Sequence, residues 1–275
     1  MHLVVTFMSL RMVRSELGLP PRKNGCQEHQ DRISRKNHQQ KEVTMNSARR
    51  TAKIAGLLYL VNAVTGFFGI IYVPSRLIVS GNAAATANNI LAFERLFRLG
   101  ITSELICAVE FVFVIWALHR LLGGVNKSLA SLMVILGLAF VPIMCVNAMN
   151  GIAALLLVRG ADFLSVFDPS RRQALAMLFL DLHRYGYLIG WIFGIWFFPL
   201  GVLVFKSGFL PRFLGVLLIA AGVGYVADSV TPLLLPGYEN VVGRIAIIAL
   251  TLGEPVLILW LLIMGAKEQP FAAAA

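Results

Sequence analysis

The chain has 275 residues, 58% of them hydrophobic and only 14% charged, with a formal charge of +10 and a mean hydropathy of +0.77. Soluble domains are nearer half apolar and a quarter charged, so this composition excludes an ordinary soluble enzyme or binding domain and points to a membrane protein. The basic excess has no aromatic interleaving of the kind that binds nucleic acid, and it fits membrane topology and contact with anionic lipid.

Residues 1–45 carry eight Lys/Arg and four Asp/Glu and are rich in Gln, Asn and Arg, the composition of an unfolded tail. The apolar run His2–Leu10 is followed by Arg11 and Arg14, with no small-residue cleavage site of a signal peptide. Met45 opens Met-Asn-Ser-Ala-Arg-Arg-Thr-Ala-Lys, a natural cytoplasmic start before a membrane helix, and is read as the initiator. The expected organisation is a basic tail over 1–45, a membrane domain over 46–268 and a short tail over 269–275.

A helix needs about 20 mostly apolar residues to cross about 30 Å of hydrocarbon. On that rule the sequence predicts an all-α, polytopic transmembrane bundle of six spans, near 52–73, 94–121, 129–158, 173–205, 212–234 and 242–265. The third and fourth exceed the minimum and are expected to tilt or project. In the connection after the first span, Ala83–Leu91 is expected to form an interfacial helical turn. Arg49, Arg50 and Lys53 ahead of the first span put the N-terminus in the cytoplasm, and six crossings return the C-terminus there beside Lys267. The inner (plasma) membrane is the expected location. Arg76, Arg159, Arg171 and Arg172 weaken the charge bias of the loops, so the first span decides the orientation. The two three-helix halves carry no convincing inverted repeat.

The fourth span organises the chain. His183, Gly186, Tyr187, Gly190 and Gly194 fall on one side of it, and Asp181, Arg184, Tyr185 and Leu188 on another. Glycine at every fourth position allows a neighbouring helix to approach closely. That neighbour can belong to this chain, to a second copy or to a partner protein, through Gly186, Gly190 and Gly194.

Ionisable residues inside spans are costly and face protein or water. An outer tier holds Glu104, Asp181, His183, Arg184 and Asp228, joined by Asn150, and forms a candidate polar chamber for an unknown small molecule. The plainer reading is a wet helix end, with ion pairs Asp181–Arg184, Glu104 to Arg98 or Arg184, and Asp228–Arg244. A mid-membrane tier holds Glu110 and Glu254, with Asn62 and Asn147 at similar depth. No Lys, Arg or His is expected beside these glutamates. They are candidate proton or ion sites, or else protonated carboxyls hydrogen-bonded to Asn62 or Asn147.

Signatures of catalysis are sparse. His183 is the only histidine well inside a span, His119 lying at an inner helix end, and one histidine cannot build a multi-histidine zinc site. No HExxH or GxSxG occurs, and the cysteines Cys26, Cys107 and Cys145 form no CxxC spacing. No metal and no cofactor are expected, and catalytic residues stay unassigned. A metal hydrolase built on His183, Asp181, Glu104 and Asp228 is chemically possible.

The runs Leu-Phe-Leu-Asp-Leu-His-Arg-Tyr-Gly-Tyr-Leu-Ile-Gly at 178–190 and Lys-Ser-Gly-Phe-Leu-Pro-Arg-Phe-Leu-Gly-Val-Leu at 206–217 resemble a bacterial family of multi-pass membrane proteins, domain of unknown function forty-three eighty-six. Ala48–Leu58, Phe97–Leu105, Tyr225–Ser229 and Gly253-Glu254 ahead of Leu259-Trp260 share its pattern, so the resemblance covers about 48–266. Where the family often carries aspartate, this chain has Glu104. The resemblance implies a bacterial inner-membrane bundle and brings no activity, ligand or catalytic residue.

Three functions stay open. One is a small-solute or lipid-handling carrier with an outward-facing polar chamber. The second is a membrane-embedded hydrolase or transferase using His183 and nearby acids. The third is a non-catalytic assembly, sensor or stability module working through the glycine stripe.

Overall fold

The computed structural model describes residues 25–186, 191–235 and 237–266, and all regular structure among them is helical. By internal contacts the chain divides into Met1–Ser47 and Ala48–Ala275. In the first unit the described residues, from Gly25 onward, are helical.

In chain order the elements are α1 (Gly25–Gly66), a π-helical segment (Phe67–Tyr72), α2 (Val73–Leu77), α3 (Ala83–Ala92), α4 (Glu94–Leu122), α5 (Lys127–Arg159), a 3₁₀ turn (Asp162–Leu164), α6 (Pro169–Gly186), α7 (Trp191–Lys206), α8 (Arg212–Leu234) and α9 (Glu239–Ile263). The expected interfacial turn after the first span is α3.

Five helices are long and apolar enough to cross a membrane: Ala48–Leu77, Glu94–Leu122, Lys127–Arg159, Arg212–Leu234 and Val241–Ile263. The expected fourth span, 173–205, instead comprises α6 and α7, with residues 187–190 outside the described residues. Among the described residues its apolar part is Phe193–Lys206, shorter than a crossing helix. Five spans, not six, therefore satisfy both length and composition among the described residues. The outward faces carry exposed Val64, Ile135, Val146, Met149 and Ile245, a surface suited to lipid rather than water.

Local chemistry sets the helix ends. Asn82 accepts from the Ala85 N–H at 2.9 Å and caps α3, and Asn126 accepts from the Leu129 N–H at 3.0 Å and caps α5. Asp168 accepts from the Arg171 N–H at 2.9 Å and from the Ser170 hydroxyl at 2.6 Å. These bonds, the hydroxyl first, hold its carboxyl below the usual carboxylate range. The cap is therefore at full strength at neutral pH and weakens as pH falls through that lowered range.

α5 ends at Gly160, which turns left-handed with φ 67 and lies directly against the Arg172 guanidinium of α6. A Cβ here meets both a strained backbone and that cation. Gly160→Ala is expected to cost about 1–2 kcal/mol, read as a lower thermal midpoint in detergent. Gly124→Ala is the control, because nothing lies within 4 Å of a Cβ at Gly124. Equal midpoints for the two variants would remove the assignment of Gly160 as an obligatory glycine.

Two apolar cores form. The larger gathers Phe111, Met133, Trp196, Leu200, Leu214 and Leu257 from α4, α5, α7, α8 and α9. An aromatic stack runs through it, with Phe193 lying 5.6 Å from Trp196 and Phe197 lying 5.3 Å from Tyr225, spacings at which ring pairs attract. The smaller core joins Val73, Leu77, Ile90, Phe97, Leu155 and Leu180 from α2 to α6. It packs beside the polar site.

Candidate functional site

The site is built where α4 and α6 meet. Glu104 lies ten residues into α4, about 15 Å along the helix from Glu94, and its side chain is 2% exposed. His183, on the last turn of α6, is 12% exposed and places Nε2 2.9 Å from Glu104 Oε2. A carboxyl and an imidazole this close share a charge-assisted hydrogen bond whenever the ring carries a proton on that nitrogen. Val73, Pro74, Ile78, Phe97, Ile101 and Leu180 wall a cleft beside the pair. It has room for about one or two waters.

Glycines bring the helices together there. A Cβ on Gly69, in the π-helical segment, would lie 2.8 Å from the Gly100 carbonyl oxygen and 3.0 Å from the Glu104 nitrogen. The first span and α4 thus touch backbone to backbone beside Glu104. Gly100 in turn lies under Val73, with 2.8 Å from a Cβ to Cγ1. π-helical insertions in α-helices frequently fall at functional sites, and this one carries Gly69 against the backbone of Glu104.

α6 is anchored by an asparagine pair on α5. Asn147 donates Nδ2 to the His183 carbonyl oxygen at 2.9 Å, and Asn150 donates to Asn147 Oδ1 at 3.3 Å. Gly186 passes so close to the Asn147 amide that no Cβ fits. Of the expected chamber residues, Glu104 and His183 are joined directly and Asn150 through Asn147. Asn147 does not serve the mid-membrane glutamates, as the sequence suggested, because its amide is engaged by α6.

The remaining chamber residues lie elsewhere. Asp181 and Arg184 face each other at 3.5 Å, 41% and 68% exposed, one turn apart on α6. Asp228 on α8 is exposed, and its Oδ1 lies 3.2 Å from where a Gly243 Cβ would sit. The expected pairing with Arg244 is not formed among the described residues, and Arg98 pairs with Glu94 at 2.7 Å. Among the described residues no three His, Cys, Asp or Glu side chains gather as metal ligands.

The mid-membrane glutamates each take a hydroxyl. Thr65 donates to Glu110 Oε2 at 2.7 Å and Tyr59 donates to Glu254 Oε1 at 2.9 Å. Neither bonds Asn62, which instead donates to the Cys107 carbonyl oxygen at 2.8 Å. The glycine stripe is occupied within the chain: Gly186 faces Asn147, and Gly194 packs on Val226 of α8, 2.8 Å from a Cβ to Cγ2. Gly190 lies outside the described residues.

A protein-family model, "Domain of unknown function (DUF4386)", matches residues 54–265. The chain belongs to the DUF4386 family. The site residues Glu104, Asn147, Asn150 and His183 all lie inside the matched region. An uncharacterized protein of the archaeon Archaeoglobus fulgidus is 42% identical over 81 residues, covering 29% of this chain and 46% of that relative. The chain thus spans about half the length of that curated relative. No solved structure matches. This DUF4386 protein is a multi-pass, all-α membrane protein.

Gly100 and the π-helical segment escaped the sequence reading. The signal available was the spacing of Gly66 and Gly69 on one face of the first span, which marks a close approach but not its partner.

Proposed function

We propose that this protein is a membrane-embedded hydrolase or transferase. In this reading His183 takes and returns a proton during bond cleavage. Glu104 orients the ring and offsets the positive charge it gains. The observation that carries the reading is the 2.9 Å contact between His183 Nε2 and a carboxyl only 2% exposed, set in an apolar cleft. Low local dielectric strengthens that pairing relative to water, and a buried, charge-supported imidazole is a common general base. The apolar walls favour an amphiphilic substrate that presents a small polar group, because little more than a water-sized group fits beside the ring.

A carrier chamber has less support, since Asp181 and Arg184 pair at the helix surface and Asp228 lies on α8. The finer topology stays part of this proposal: α6 and α7 together make a sixth crossing, both termini are cytoplasmic and the protein resides in the inner (plasma) membrane. The basic triplet Arg49, Arg50 and Lys53 supports that orientation.

The test is turnover by the purified protein in lipid vesicles against ester, amide and phosphoester amphiphiles, compared with His183→Gln. Cleavage by the wild type and not by the variant supports the reading. Equal activity in both, or none in either across the three bond classes, would overturn it.

A further inference from the structure

The His183 site leaves unused a second acid, half-buried in the bundle. Glu254 lies on α9, and Tyr59 of α1 donates its phenolic hydroxyl to Oε1 at 2.9 Å. Tyr59 is buried at 2% exposure, so the donor side of this bond is shielded from water. One turn from Tyr59 along α1, and about two turns from Glu254 along α9, the two helices are in backbone contact: a Cβ on Gly56 would lie 2.9 Å from the Leu262 nitrogen. The Tyr59–Glu254 bond is therefore a polar contact in an otherwise apolar, tightly closed seam between the first and last spans.

The groups facing the Glu254 carboxyl are few. From α1 there is Tyr59, with Lys53 earlier on that helix and exposed. From α8 there is Tyr225, within electrostatic reach of both Glu254 and Asp228 and stacked on Phe197. No Lys, Arg or His pairs with Glu254 among the described residues. An ionised carboxylate offers about four acceptor positions, and buried without donors or a cation it is costly. One phenol satisfies one of those positions. A carboxyl that carries its own proton needs only that single donor.

Glu110 repeats the arrangement on the neighbouring seam. It takes one hydroxyl, from Thr65 at 2.7 Å, while Ser103 donates to the Thr65 carbonyl oxygen at 2.9 Å. Two membrane carboxyls thus sit against α1, two turns apart along it, each met by a hydroxyl rather than by a cation.

We propose that Glu254 is a proton-binding site at the seam of α1 and α9, with Tyr59 as its positioning residue. Its ligand is the proton itself. On loading, a proton from water forms an O–H bond on the Glu254 carboxylate while Tyr59 keeps its hydrogen bond to the other oxygen. On release that proton returns to water and no electrons move. Loss and gain of this charge change the electrostatics of the seam that closes the bundle.

The experiment uses the full chain in lipid vesicles and a hydrophobic carbodiimide, which adds a protonated carboxyl across its C=N bond and leaves an N-acylurea on the glutamate. Peptide mass spectrometry then locates the adduct. Adduct is expected on Glu254 at neutral pH, falling as pH rises and absent in Glu254→Gln. In Tyr59→Phe the donor that supports the ionised form is gone, so adduct at a fixed alkaline pH is expected to rise by up to about tenfold. A protonated-carboxyl infrared band that titrates with pH in the wild type and disappears in Glu254→Gln gives a second readout that needs no reagent access. An unlabelled Glu254 together with no such band would overturn the proposal, as would labelling independent of pH. A band unchanged in Glu254→Gln would also overturn it, by assigning the proton to another group.

Discussion

Exchange of His183 for glutamine is expected to lower turnover by about 10²- to 10⁴-fold, the usual contribution of a positioned general base. Glutamine preserves approximate size and a polar tip, so the Asn147 bond to the position-183 carbonyl oxygen at 2.9 Å is retained and α6 stays anchored. Only the proton-accepting ring is removed. Glu104→Gln is the sharper companion, because it keeps the shape of the side chain while removing the negative charge. Breaking a buried pair costs about 3 kcal/mol, which corresponds to about a hundredfold in rate if the pair acts in the transition state. The two defects should not add in the double variant, since both act through one hydrogen-bonded unit. Full additivity would mean that Glu104 and His183 work separately. Wild-type turnover in Glu104→Gln would leave the carboxyl as a packing element only.

The largest structural effect is expected at Gly215. A Cβ there would lie 2.5 Å from the Gly201 carbonyl oxygen and 2.8 Å from the Phe205 nitrogen. The reciprocal distance, from a Gly201 Cβ to the Gly215 carbonyl oxygen, is 2.8 Å, so α7 and α8 touch backbone to backbone. Flexible side chains can turn aside, but backbone cannot. Gly215→Leu must part the helices and uncover Leu200, Leu203, Leu214 and Leu218, all fully buried. Overpacking in a tight core costs about 1–3 kcal/mol even where side chains can adjust, and the backbone contact puts this change at or above the top of that range. The expected result is aggregation on detergent extraction or a thermal midpoint far below wild type. Val223→Leu, at an exposed position on α8, should leave the midpoint unchanged. A stable, monodisperse Gly215→Leu protein would mean that α7 and α8 are not packed through Gly201 and Gly215.

Some of the molecule was legible before any coordinates. Composition and run length set a multi-pass helical protein, because about 20 apolar residues cover the hydrocarbon wherever they occur in a chain. Five of the predicted spans coincide with helices that meet that requirement. The fourth is divided between α6 and α7, with residues 187–190 outside the described residues, and its described apolar part, Phe193–Lys206, is shorter than a crossing helix.

The pairing of polar residues was a different matter. Sequence spacing gives the face on which a residue lies along its own helix. It cannot give the rotation of one helix against another. Two helices meet at Gly69 and Gly100 only because neither has a Cβ, and that close approach decides that Glu104 looks toward α6 rather than toward Arg98. The same logic sent Asn147 to the His183 carbonyl oxygen and gave Glu254 to Tyr59. The chain by itself determined that acids and a histidine would be carried into a membrane bundle. Which of them touch was decided by interhelical contacts of a few ångströms, because hydrogen bonds reach no further than that and helix periodicity carries no information across the gap between helices.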